Sequence, residues 1–245
     1  MQNHLYADRY RNVWQQTLDQ GELPLDQIEK SRYYFETDLT NPTPKEFDAT
    51  TYGIAALLPM PDSAQPIFTA LWDEIMESLG HPVAYAVEPQ NRHVEFLVFT
   101  RPEEIVDDNI VQRNIAASFA AVRATPPVPF KVAYSRPFIT PDGTIVAPGF
   151  PLPETIIDDF RAQVRGATHQ TLPQKQSQWF HTPLGRILEP LDRTRLKSTL
   201  DAMESRWGEP VVTLEIDELL WTSESQWYMV KKSILHRLSL RQSQR

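Results

Sequence analysis

The sequence reads as a mixed chain of strands and helices laid out in two halves of similar build, and three observations predict this. Continuous apolar runs of strand length alternate with stretches whose apolar residues recur every three or four positions. Prolines and glycines punctuate those segments, with Pro (21) far outnumbering Gly (8), so stiff connections are expected rather than flexible linkers. Each half also carries one apolar strand with a histidine near its start. These are Arg92-His93-Val94-Glu95-Phe96-Leu97-Val98-Phe99 and Gln178-Trp179-Phe180-His181-Thr182-Pro183-Leu184-Gly185-Arg186-Ile187-Leu188. No residue-level repeat is strong enough to prove duplication.

Residues 4–20 place Leu5, Tyr6, Tyr10, Val13, Trp14 and Leu18 at helical spacing, stopped by Gly21. A second short helix fits Pro24 to Phe35, and the segment from Thr37 to Thr50, with Pro42 and Pro44, reads as a loop. Residues 1–50 are therefore expected to form a helical extension packed on a domain spanning 51–245. Tyr52 to Leu58 is a strand and residues 64–79 an amphipathic helix stopped by Gly80. Val83 to Val87 and His93 to Phe99 are strands. A helix follows from about Ile105 or Asp108 to Ala124, with Ile110, Ile115, Phe119 and Val122 as its expected buried stripe.

In the second half Phe130 to Ile139 is a strand, Pro141-Asp142-Gly143 a hairpin turn, and Thr144 to Ala147 its partner. Pro153 to Val164 is a helix, 166–177 a polar loop, and Trp179 to Leu188 the histidine strand. Asp192 caps a helix over 193–207, ended by Gly208. Two long strands, Val211–Thr222 and Trp227–Leu240, close the chain. The alternation of Val212, Leu214 and Ile216 slips near Glu218-Leu219-Leu220, which predicts a bulge.

At 245 residues the chain is long enough to bury a sizeable core. The net charge of −8 argues against broad binding to duplex nucleic acid, which needs a basic face, but leaves room for a small phosphate ligand or an RNA end. The absence of cysteine excludes disulfides, zinc–thiolate and iron–sulfur sites. Met1-Gln2-Asn3-His4 lacks a signal pattern and no apolar run approaches membrane-spanning length, so a soluble, cytoplasmic protein without a membrane partner is expected. A monomer is compatible with the sequence, which does not give the oligomeric state. No metal-ligand spacing, phosphate-cradling glycine loop or nucleophile elbow is present, and no cofactor is expected.

Two histidines on separate strands could form one site, because imidazoles suit proton transfer near neutral pH. Glu95 lies on the same strand face as His93 and would repel a phosphate unless protonated or bonded elsewhere; it could orient His93 or pair with Arg92 or Arg101. Strand parity turns Thr182 away from His181 unless a bulge forced by Pro183 rotates it, and turns Arg186 away too, which favours an ion pair for Arg186 over a phosphate contact. Trp179, Phe180 and Tyr228 could stack a base or belong to the core. His4, His81 and His169 read as surface residues, and His236 could approach the groove.

His181-Thr182-Pro183-Leu184-Gly185-Arg186-Ile187 resembles the second signature of the 2H phosphoesterase superfamily, and His93-Val94-Glu95-Phe96-Leu97 resembles the first. The resemblance covers roughly Thr51 to Leu240. It implies a bilobal α+β, LigT-like fold with two pseudo-symmetric lobes of antiparallel sheet flanking a central groove. It implies a metal-independent cyclic phosphodiesterase acting on a 2′,3′-cyclic phosphate or a related nucleotide or RNA-end ester. His93 and His181 would be catalytic, and Glu95, Thr182, Arg186, Trp179 and Tyr228 would contact substrate. The sequence departs from the family pattern where a hydroxyl should follow each histidine by two residues: Glu95 and Pro183 stand there. That leaves a second reading, a non-catalytic groove that binds a nucleotide or a protein partner, and a third, an interaction protein using the N-terminal helices.

Overall fold

The computed structural model describes residues 5–58, 64–104, 106–168 and 178–241. His4 and His169 lie outside the described residues. The chain runs α1 (Ala7–Gln20), α2 (Leu25–Arg32), β1 (Thr51–Leu57), α3 (Ala64–Ser78), β2 (Ala84–Ala86), β3 (His93–Thr100) and α4 (Asp108–Ala124). It continues through β4 (Phe130–Ser135), β5 (Phe138–Ile139), β6 (Thr144–Leu152), α5 (Ile156–Ala167), β7 (His181–Ile187) and α6 (Arg193–Ser205). Strands β8 (Pro210–Ile216), β9 (Glu218–Glu224) and β10 (Lys232–Ser239) close it.

The strands form two antiparallel sheets. One has the order β10-β9-β1-β3; the other runs β2-β7-β6-β4-β8, with β5 also pairing on β6. The fold is α+β, as expected. Each histidine begins its strand: His93 opens β3 and His181 opens β7.

Local chemistry explains most elements. Gly21, Gly80 and Gly208 adopt positive φ, the conformation that ends the preceding helical segments. Asp107 and Asp192 cap α4 and α6 by accepting from the N–H groups of Asn109 and Arg195. The Pro141–Gly143 hairpin forms, with the Gly143 N–H donating to the Thr140 carbonyl at 2.9 Å. The buried stripe of α4 differs by register from expectation. It comprises Val111, Asn114, Ile115, Ser118 and Val122, while Ile110 and Phe119 are only half-buried, because the Ser118 hydroxyl turns inward to accept from the Trp221 indole at 2.9 Å.

Two strand expectations are corrected. Residues 130–139 are two strands, because Pro137 brings no N–H and the Arg136 N–H donates instead to the Glu209 carbonyl at 3.0 Å. The expected strand from Val211 to Thr222 with a bulge is also two strands, and they lie in different sheets: β8 pairs with β4 and β9 with β1. The change in alternation near Asp217 therefore marks the point where the chain leaves one sheet for the other. β8 is a half-exposed edge strand, whereas β9 lies inside its sheet with Leu219 to Thr222 all buried. Residues 227–229 are not strand but a tight turn, with Tyr228 and Met229 both at positive φ.

Between the sheets Phe96 of β3 and Phe180, just before β7, meet edge-to-face at 5.1 Å, with Phe160 of α5 at 5.3 Å from Phe96. Helix α1 braces the second sheet. The Tyr10 hydroxyl donates to the Phe180 carbonyl at 2.5 Å and accepts from the Phe180 N–H at 3.1 Å. Helix α3 lies so close to β7 that a β-carbon on Gly185 would stand 2.2 Å from the Trp72 ring and 2.3 Å from the Tyr85 carbonyl oxygen. Only glycine admits that approach. Gly185→Ala is expected to destabilise the fold by about 2 kcal/mol or more, as overpacking against rigid neighbours does. Urea unfolding checks this, and an unchanged midpoint would contradict the packing described.

Candidate active site

Between the two sheets lies a groove of about 660 Å³, and both histidine strands line it. Strand parity alone does not explain which side chains reach it. In β3 the register against β1 jumps between Leu97 and Glu95, leaving Phe96 unpaired. In β7 the register against β6 jumps between Gly185 and Pro183, leaving Leu184 unpaired. Each bulge thus falls three residues after the histidine. Each inverts the alternation beyond it, so that Val98 and Arg186 return to the groove two residues later. The two halves share this device although the sequences share little else.

The expectation that Arg186 faces away from His181 is therefore corrected: the bulge at Leu184 turns it into the groove wall. It is heavily bonded there. Its Nε donates to the Tyr228 hydroxyl at 2.8 Å and Nη1 to Ser31 Oγ at 3.0 Å, while Nη2 lies 3.3 Å from Asp142 Oδ2. Its guanidinium also sits 4.5 Å over the Trp227 ring. The Tyr228 hydroxyl and the Asp142 carboxylate raise its pKa, overcoming burial. The ion-pair role read for it holds.

Thr182 is placed outside the site, against its expected role as a substrate contact. It precedes the bulge, is fully buried, and donates to the Tyr134 hydroxyl at 3.1 Å on the core side. Phe180 and Leu184 are core residues. Trp179 lines the groove edge-on to His181, with ring centroids 5.3 Å apart. Tyr228 lines it too, buried and stacked on Tyr85 at 5.3 Å. Arg92 does not pair with Glu95; it is buried against Gln65 and the Val87 carbonyl. His236 stacks on Phe119 at 4.2 Å and does not line the groove.

His93 Nδ1 lies 2.8 Å from the Asn91 carbonyl oxygen, which can only accept, so Nδ1 carries the proton and Nε2 keeps a lone pair. Burial pushes the His93 pKa down to about 4, with Lys232 adding to the effect and the Asn91 bond opposing it. His181 is also pushed down to about 4, by burial and then by His93, with Asp142 opposing. The two imidazoles therefore feel each other across the groove. The carboxyls respond in the opposite sense. Burial raises Glu95 against the pull of Arg161 and Arg101, and burial together with Glu95 pushes Glu224 up to about 7.

Several groups of the site were not singled out from the sequence. Glu224, at the end of β9, accepts from the Met229 N–H at 3.0 Å and faces the groove. Tyr34, after α2, stacks on Trp227 at 4.0 Å and its hydroxyl donates to Glu103, closing one wall. Arg161 of α5 donates from Nε to the Phe96 carbonyl at 2.7 Å and from Nη2 to the Trp179 carbonyl at 2.9 Å. It thereby ties the bulge of β3 to the entry of β7. One signal for Arg161 was available: it shares the buried stripe of α5 with Ile157, Phe160 and Val164. A cation on such a stripe is there to satisfy buried acceptors.

A carboxyl whose folded pKa is raised holds its proton when the unfolded chain has already released it. Glu224 therefore lowers stability as pH rises from about 4.5 to about 7 and has no further effect above that. The wild type is expected to lose on the order of 2 kcal/mol across that window through this group. Glu224→Gln should remove that part of the pH dependence. Urea titrations at pH 5 and pH 8 check it; parallel losses in both proteins would count against the assignment.

No family model matches the sequence, and no curated protein matches it. Solved structures do. The E. coli LigT structure with 3′-AMP aligns over 79% of this chain and 99% of its own, at 14% identity and a TM-score of 0.51. Usb1 from Kluyveromyces marxianus aligns over 76% of this chain and 97% of its own, at 11% identity and a TM-score of 0.48. At such identities the likeness to LigT is one of fold. The chain has the LigT-like fold, and the resemblance read from the two histidine signatures is borne out at that level.

Proposed function

We propose that this chain is a phosphoesterase of the 2H type, acting on a 2′,3′-cyclic phosphate or a related nucleotide or RNA-end ester. One observation carries the reading: His93 and His181 open equivalent strands, each followed by the same bulge, and line one groove. The LigT structure aligned above holds 3′-AMP, a nucleotide with its phosphate on the ribose, which supports a ligand of that class.

In this scheme His93 Nε2 takes a proton from water as the water oxygen bonds to phosphorus. His181 gives its proton to the ribose oxygen as the old P–O bond breaks. A bound phosphate anion raises the His181 pKa above its value in the empty groove, which favours the protonated form the step needs. Arg186, oriented by Asp142 and Tyr228, supplies positive potential from the wall. Glu95 and Pro183, standing where hydroxyls would hold the phosphoryl oxygens, favour a second reading in which the groove binds a nucleotide without turning it over.

Hydrolysis of 2′,3′-cyclic AMP by the purified protein tests the first reading. Each imidazole should contribute about 10²–10⁴-fold, so His93→Ala and His181→Ala together should reduce turnover to background. Because kcat/KM reports the free enzyme and both histidines titrate near 4, it should be higher at pH 5 than at pH 8. A wild-type rate equal to the double mutant's would leave only the binding reading. Thr182→Val should leave kcat/KM within about twofold while costing about 1 kcal/mol of stability, because its hydroxyl serves the core. A large loss of rate in that variant would place the hydroxyl at the substrate instead.

A further inference from the structure

We infer that Glu95, in its carboxylic acid form, is a phosphate-holding donor of this groove, giving a hydrogen bond to a non-bridging phosphoryl oxygen. The inference rests on the phosphoesterase reading above. It starts from position: Glu95 follows His93 by two residues, precedes the bulge at Phe96, and so shares the groove face with His93. The equivalent place on β7 is Pro183, which offers no donor. Among the described residues the Glu95 carboxyl has no hydrogen-bond or ion-pair partner, although it lines the groove. A polar group left without a partner in such a place is accounted for if the ligand supplies one.

An ionised Glu95 would repel the phosphate; a protonated one turns the same atoms into a donor. The surroundings favour the proton. On its own strand stands His93, which is neutral over most of the pH range, and from β7 comes His181 in the same state. From β9 comes Glu224, whose own carboxyl burial pushes up to about 7, so it brings no cation to the site. Lys232 of β10 is bonded to Asn91 and the Met229 carbonyl. Asp142 and Arg186 face each other across the far wall. The cations that oppose the proton are Arg161, committed to the Phe96 and Trp179 carbonyls, and Arg101 beyond the end of β3. Burial outweighs both, and the Glu95 pKa stands above the ordinary carboxylate value.

The consequence is an extra ionisation. Turnover requires one protonated imidazole, which gives log(kcat/KM) a slope of −1 on the alkaline side; a required Glu95 proton steepens that limb to −2 above the Glu95 pKa. Glu95→Gln, a permanently neutral donor of the same shape, should return the slope to −1 and exceed the wild type at pH 8. Glu95→Thr, which restores a hydroxyl, should also show a slope of −1. Glu95→Ala should lose about 10²–10³-fold at pH 5, the cost of one missing oxyanion donor.

A slope of −1 in the wild type, or Gln and Ala variants equally impaired at every pH, would overturn the inference while leaving the two-histidine reading intact. Should the wild type show no turnover, the same question is put to binding of 2′,3′-cyclic AMP by calorimetry. Affinity that falls tenfold per pH unit above the Glu95 pKa in the wild type, but not in Glu95→Gln, would sustain the donor role without catalysis. Identical pH dependence in the two proteins would end it.

Discussion

Arg161 sits on the buried face of α5, only 4% exposed, and its hydrogen bonds to the Phe96 and Trp179 carbonyls hold the two histidine strands in one frame. The Phe96 residue is the unpaired one of its bulge, so its carbonyl is available to a side chain. Trp179 lies just ahead of β7, and its carbonyl accepts from Arg161 Nη2. Leaving either oxygen buried and unbonded would cost on the order of 1–3 kcal/mol. Burial pulls the Arg161 pKa down, and Tyr6 and Asp158 oppose that pull. The cation that spans the lobes is thus also the one whose field acts most on Glu95. Architecture and site chemistry meet in one side chain.

The paired bulges do a related job. A regular strand beginning at His181 would carry Pro183 and Gly185 on the histidine's face and turn Arg186 into the core. With Leu184 unpaired, Gly185 instead lies against Trp72 and Arg186 reaches the groove. The N-terminal segment completes this arrangement from outside the strands. Ser31 binds Arg186, Tyr34 stacks on Trp227, and Tyr10 fixes the chain at Phe180. Residues that precede the first strand therefore shape the wall of the groove.

Much of the fold was legible in the sequence because hydrophobic periodicity and turn chemistry are local properties. The helices capped by Asp107 and Asp192, the hairpin at Pro141–Gly143 and the two histidine strands all follow from residues within a few positions of one another. What failed among the strands that build the site was what depended on pairing. The slip in alternation near Asp217 is equally compatible with a bulge and with a change of sheet; only the partners, β4 for one side and β1 for the other, distinguish them. The orientation of Arg186 failed for the same reason, since a bulge is a property of two strands and not of one.

By itself the sequence determined the order of elements, the residue types available for chemistry, and the two histidines that head their strands. Its resemblance to the 2H signatures marked Glu95 and Pro183 as standing where that family carries hydroxyls. Tertiary structure decided which of these meet. It turned Thr182 into the core, brought Arg186 to the groove, added Glu224 and Tyr34 from distant segments, and buried the imidazoles and carboxyls together. The physical reason is that side-chain identity is fixed residue by residue, whereas facing direction, burial and electrostatic field are set by partners far away in the chain.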